Sequence, residues 1–281
     1  MIFLIRLFYL PFFLIIGNGL AIYLVNQQSS KIWLIGLVIA FIAIAFLTEK
    51  HIPYNNKFNH PIGDQQRDVL HAVVNESMSI VGIASLPFFA SIFTVIDIWP
   101  HQFPLWGQVL LAVLIADIGI TLMHYASHRN SILWRLHAVH HSVKRMYGLN
   151  GLMKHPLHQG IEILAGTAPL LLIGTPPEVF MLLLVAVIIQ LLLQHSNVDY
   201  FVGPLRNILA INSMHRFHHL KTAKEGDVNF GLFTIFTDYV LGTAYFDSTK
   251  KFSSTDLGIS TEPDYPSDYL NQVIEPFRSK K

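Results

Sequence analysis

The stretch LWGQVLLAVLIADIGITLMHYASH, Leu105 to His128, runs an apolar segment of membrane-spanning length straight into two histidines four residues apart. Between Leu105 and Met123, Asp117 is the single charged residue, and about 20 predominantly apolar residues suffice to cross a bilayer as a helix. If the helix continues past the span, His124 and His128 lie on one face, with Cβ atoms about 5–6 Å apart. The fold is therefore decided by a span that ends in a polar, metal-competent turn.

Outward from this stretch the same pattern recurs. The first residues, MIFLIRLFYLPFFLIIGNGLAIYLV, lack a small-residue cleavage site after the apolar run and read as a retained span. Further runs extend from Ile32 to Leu47 and from about Ile80 to Ile98. Residues 161–194 are apolar but broken at Gly174-Thr175-Pro176-Pro177, which predicts a helical hairpin that enters the membrane and returns. The fold class expected is all-α: a multi-span helical membrane protein of four spans plus a membrane-dipping helical hairpin. Residues 1–103 are expected to anchor, 104–246 to form the catalytic unit, and 247–281 to form a polar C-terminal tail on the surface.

Composition agrees with that reading. Of 281 residues, 52% are hydrophobic and only 13% charged, against about a quarter charged in soluble domains. Lys plus Arg (19) nearly cancel Asp plus Glu (18), which removes the field a nucleic-acid partner would need. Cysteine is absent, excluding disulfides, Fe–S clusters, Cys-type zinc sites and a cysteine nucleophile. Basic residues collect in alternate connections: Lys50, Lys57 and Arg67; Arg129, Arg135, Lys144, Arg145 and Lys154; Arg206, Arg216, Lys221 and Lys224. By the positive-inside rule these connections are cytoplasmic.

Eleven of the 15 histidines lie between His124 and His219, in or beside those basic connections. His137-Ala-Val-His140-His141 fans three imidazoles from one short helix, because His140 and His141 each lie one turn from His137 but about 100° apart around the axis. His215-Arg-Phe-His218-His219 repeats the fan, and His195 stands where the hairpin returns. One such pair is commonly surface chemistry; two triplets with a pair on one membrane face are a metal constellation, since ionisable groups near hydrocarbon are costly and mark function. His124, His128, His137, His140, His141, His195, His215, His218 and His219 outnumber what a single ion of about four to six ligands takes, so two ions are expected. Imidazole alone does not choose among Zn, Fe, Cu and Ni. Ligand rings need acceptors for their other N–H, and Asp117, Asn212 and Asn229 are the expected suppliers among several polar residues near helix ends. His155 and His158 read either as neighbours that orient ligands or as headgroup contacts; His51, His60, His71 and His101 read as structural.

These residues resemble the membrane-bound fatty acid hydroxylase and sterol desaturase superfamily over Asp117 to about Phe246. The matching text is Asp117-x6-His124-x3-His128-Arg129, Leu133-Trp134-Arg135-Leu136-His137-Ala138-Val139-His140-His141-Ser142, His155-Pro156-Leu157, His195-Ser196-Asn197, His215-Arg216-Phe217-His218-His219, Asn229-Phe230-Gly231, and Asp238-x3-Gly242-Thr243. The resemblance implies two irons held by the nine histidines, O2 as co-substrate, and an oxidoreductase that hydroxylates or desaturates a lipid. With no dinucleotide fingerprint in the chain, an external electron donor is expected: a ferredoxin, cytochrome or flavin reductase. A membrane transporter carrying Zn or Cu is the rival, and it predicts ligands along the spans rather than beyond their ends. A hydrolase is disfavoured because neither HExxH nor GxSxG occurs.

Overall fold

The computed structural model describes residues 1–278, which form no β-strand among them. The chain runs α1 (Ile2–Pro11), a π-helical turn (Phe12–Gly17), α2 (Asn18–Asn26), α3 (Lys31–His51), α4 (Gln65–Phe93), α5 (Leu105–Arg129), α6 (Ser131–His141), α7 (Pro156–Leu172), α8 (Pro177–Gln194), α9 (Asn212–His218), α10 (Ala223–Gly226), α11 (Phe236–Leu241) and α12 (Tyr269–Ile274). Five helical segments are long and apolar enough to cross a membrane: Ile2–Asn26, Lys31–His51, Gln65–Leu86, Leu105–Arg129 and Pro177–Gln194.

One expected span is displaced. The run read from Ile80 to Ile98 belongs to α4, which begins at Gln65 and ends at Phe93, and residues 94–100 have no regular secondary structure. Arg67, Asp68, His71 and Asn75 hide the first half of this helix from a hydropathy reading. All four are buried, where Asp68 takes bonds from Arg67, Tyr147 and Asn150. These polar groups face protein instead of lipid.

The expected hairpin is α7 and α8, and Gly174 turns it with φ +84, a left-handed conformation that glycine adopts without strain. Helix α8 is apolar all round, and from Val179 to Gln194 nearly every residue is buried. A helix with no polar face belongs at the centre of a bundle, and α2, α3, α4 and α5 pack around it. Its two glutamines serve the polar end: Gln190 and Gln194 donate to Ala210 O, Gly231 O and Leu232 O, tying the later loops to the bundle. The helix thus delivers His195 at its C-cap.

The C-terminal segment packs back against the bundle through α12. Gln272 of α12 is fully buried, pairs through Oε1 with His71 Nε2 (3.0 Å), and donates to Ser142 Oγ (3.0 Å) at the end of α6. A cavity of about 690 Å³ bounded by Lys31, His101, Gln108 and Glu178 lies at the N-terminal end of α5, the end opposite His124 and His128.

Candidate metal centre

All nine predicted ligands meet at one end of the bundle, and they divide into two groups. His124 and His128 of α5, His137 and His141 of α6 and His218 of α9 form a group of five. His140 of α6, His195 at the cap of α8, His215 of α9 and His219 at its cap form a group of four. Within each group the ligand atoms lie within 4.8 Å of one another. Both fans split as their helical geometry allows: His137 and His141 turn to one group and His140 to the other, while His218 parts from His215 and His219. The groups touch, with the His141 and His219 rings stacked at 4.8 Å.

The nitrogens that converge are Nε2. His124–His137, His128–His141 and His137–His141 approach Nε2 to Nε2 at 3.0–3.1 Å, and His140–His195, His195–His215 and His215–His219 at 3.0–3.3 Å. These contacts cannot all be hydrogen bonds, because five rings have committed their proton elsewhere. His124 donates Nδ1–H to Phe230 O, His128 to Asp227 Oδ1, His140 to Met153 O, His195 to Leu191 O and His218 to Val228 O, at 2.8–3.2 Å. A neutral ring with Nδ1–H offers only a lone pair at Nε2. His140 and His195 therefore face each other lone pair to lone pair, and His218 Nε2 is buried with no partner. Such an arrangement is stable around cations and unfavourable without them, which is the fit a metal requires.

Burial keeps these rings neutral. It pushes His137, His140, His141, His215, His218 and His219 well below the ordinary imidazole range and takes His195 down to about 3. Neutral imidazole is the ligating form. Phe230, fully buried, walls the group of five with its ring 5.0–5.5 Å from those of His124, His128 and His218, and Trp134 closes another side 5.0 Å from His128.

The expected neighbours are present, but four act at one remove. Asp117 accepts from Phe233 N, Thr234 N and Thr234 Oγ1, fixing the loop that carries Phe230. Asn212 donates to Ser196 O and Val198 O, clamping the turn after His195. Asn229, at φ 55, donates to Met214 O and Tyr245 O. His155 accepts Leu157 N as the cap of α7 and contacts Val273 O. None of these side-chain bonds goes to a ligand ring: backbone carbonyls take the Nδ1 protons of His124, His140, His195 and His218, and Nδ1 of His137, His215 and His219 is buried without a partner. His158 does reach the site, its ring 4.5 Å from that of His137.

The direct carboxylate partner is one the sequence reading did not favour, Asp227, which takes His128 and Arg129 together. Burial raises its pKa, but the bonds from His128 and Arg129 outweigh that and hold it below the ordinary carboxylate range. Glu49 was also missed: buried at the end of α3, its Oε1 accepts Gly148 N (2.8 Å) and Asn197 N (2.9 Å), binding the loops after α6 and α8 to one point. A carboxylate beside an apolar run is the signal Glu49 offered; Asp227, between Gly226 and Val228 in a polar stretch, offered none.

The fatty acid hydroxylase family pattern matches residues 109–243. The ornithine lipid hydroxylase OlsE of Rhizobium tropici is 31% identical over 279 residues, covering 96% of this chain and 83% of that protein. An alkylglycerol monooxygenase of Danio rerio is 30% identical over 234 residues, 80% of this chain and 49% of that one. The Homo sapiens alkylglycerol monooxygenase is 30% identical over 145 residues, 52% of this chain and 32% of its own length. No solved structure matches.

Proposed function

Because this chain belongs to the fatty acid hydroxylase family and is a membrane lipid hydroxylase of the oxidoreductase class, we propose that its nine histidines hold two iron ions, five ligands to one and four to the other, and that O2 and a membrane lipid are the substrates. The observation that carries this reading is the convergence of Nε2 lone pairs from rings whose Nδ1 protons are already committed. A metal transporter is not favoured: its relatives by sequence are hydroxylases, and the rings gather at one end of the bundle instead of along it.

Iron supplies, when bound, the activation of O2 that an unreactive C–H bond demands and no side chain provides. The protein's own part is positional. Backbone carbonyls and Asp227 fix the tautomer and tilt of five rings; Phe230 and Trp134 exclude water from the group of five. The exposed apolar side chains of α7, Leu157, Ile163 and Leu164, give the lipid chain an approach from the membrane. Hydroxylation consumes RH, O2, two electrons and two protons and yields ROH and water, so a ferredoxin, cytochrome or flavin reductase serves as external donor. The basic connections support a site on the cytoplasmic face, with 104–246 read as the catalytic unit held on the helices of 1–103.

The substrate to test first is ornithine lipid, the named substrate of the relative matched over nearly the whole chain, and alkylglycerol ether lipid second. Lipid extracts of cells with and without the protein, compared by mass spectrometry, should show one lipid class gaining an oxygen atom. His140→Ala and His218→Ala should abolish the product and lower the iron content. Unchanged product with retained iron in both variants would overturn the proposal.

A further inference from the structure

Beside the group of five lies a row of buried polar side chains that the reading above does not use. His158 is 2.9 Å from Ser127 Oγ, and Ser127 spends its one proton on Met123 O, so the hydroxyl accepts from His158 Nε2–H. One turn along α7, Glu162 brings Oε2 to 3.7 Å from His158 Nδ1 and pairs through the same oxygen with Lys154 Nζ at 2.5 Å. His137, His158 and Glu162 each present a ligand-type atom within 4.8 Å of the others. His137 Nδ1, His158 Nδ1 and Glu162 Oε1 are all buried without a hydrogen-bond partner. Exposure is 0% for His158, 4% for Glu162 and 9% for Lys154.

A buried ion pair is a poor source of stability compared with apolar packing, so its position wants another explanation. Lys154 sits in a segment anchored on both sides: Asn75 donates to Leu152 O and Lys154 O, and Met153 O receives His140 Nδ1–H. The pair is thus held at a fixed distance from both groups of histidines. A third metal on His137, His158 and Glu162 would have to face the Lys154 ammonium on the same carboxylate in a low dielectric. The ammonium already fills the cation's place.

We propose that the buried Lys154–Glu162 pair is the outer-sphere charge of the centre: its carboxylate end, with an oxygen within 4.8 Å of a His137 ring nitrogen, acts on that ring through space and sets the reduction potential of the metal in the group of five. This rests on the iron reading above. No hydrogen bond links the carboxylate to either ring, so it acts through its field, which is strong in a low dielectric, and a negative end near a metal favours its oxidised state. Neither residue touches substrate; both are positioning residues.

The test uses the full-length iron-loaded protein in nanodiscs, with anaerobic redox titration and chelator-driven iron release. Glu162→Gln should raise the reduction potential, Lys154→Met should lower it, and both Glu162→Gln and the neutral double variant should release iron about ten times faster than the wild type. The double variant removes the carboxylate without stranding a charge, so it remains informative if a single variant folds poorly, and its potential should rise. A merely structural pair predicts a lower melting temperature in all three with potentials unmoved or shifted in one direction; that result overturns the proposal. So does a third metal equivalent in the wild type that Glu162→Gln loses. Wild-type protein that binds no iron overturns both this inference and the reading beneath it, whereas iron-loaded protein with unmoved potentials overturns this inference alone.

Discussion

His128 Nδ1 lies 2.9 Å from Asp227 Oδ1, a bond across 99 residues that joins the last turn of α5 to the loop after α10. It is the one place where a carboxylate directly orients a ring of either group among the contacts described, the other committed rings using carbonyls. Asp227→Ala removes the acceptor and frees Arg129, which shares the carboxylate. Loss of such a partner costs about 10–100-fold in metal affinity or activity. Asp227→Asn keeps an oxygen for His128 and should retain more iron than the alanine variant. Iron content after dialysis against a chelator, ranked wild type, Asn, Ala, checks the order.

Glu49 acts at longer range. Its Oε1 alone receives two backbone N–H groups, from Gly148 and Asn197, and each buried donor left unpaired costs about 1–3 kcal/mol. Glu49→Ala should therefore destabilise the fold by about 2–6 kcal/mol, while Glu49→Gln, which keeps an acceptor, should lose much less. Thermal melts of the detergent-purified variants measure the difference, and equal losses for Ala and Gln would show that the oxygen is not what matters.

The contrast between Asp227, Glu49 and the histidines explains what the sequence could reveal. Ligands from one helix are legible because 3.6 residues per turn fixes their relative directions, as for His137, His140 and His141. Which ring joins which group depends on how α5, α6, α8 and α9 cross, and only packing supplies that. Second partners were misjudged for a related reason: a backbone carbonyl such as Phe230 O or Val228 O has no signature in the sequence. Asp117, Asn212 and Asn229 were noticed as polar residues near the boxes, and they do matter, but by holding the loops that carry those carbonyls. The displaced start of α4 has the opposite cause, since buried polar residues such as Asp68 and Asn75 look like a solvated loop until their partners are known. Within the polar tail, the bonds of Gln272 to His71 and Ser142 likewise have no signature in the sequence.

Stability should fall in acid through Asp64 as well. Burial raises the pKa of its carboxyl, but the bond from Arg145 Nε at 2.6 Å and that guanidinium's charge outweigh burial and leave it below the ordinary range. A carboxyl with a depressed folded pKa stabilises fully above its unfolded value, about 3.9, and the contribution is lost as pH falls through the folded value. Asp64→Asn should then melt lower than the wild type by a constant margin from pH 8 to about pH 5, with the margin shrinking below about pH 4. A margin that grows in acid would contradict the pairing.

Gly119 sets how closely α5 and α7 approach, and that contact carries the site because His124 and His128 ride on α5 while His158 and Glu162 ride on α7. A Cβ at position 119 would lie 2.2 Å from Ala165 O, and one at Gly166 would meet Ile120 at 2.7 Å. The obstruction at 119 is backbone, so no rotamer change relieves it and the helices must separate. Overpacking of this kind costs about 1–3 kcal/mol. Gly119→Ala should lower the melting temperature and loosen iron binding in the group of five together, whereas Gly36→Ala, where a Cβ meets nothing within 4 Å, should do neither. A Gly119→Ala protein with wild-type iron retention and melting would mean that the seam between α5 and α7 can widen without cost, and that the distance between the two helices does not govern the ligand geometry.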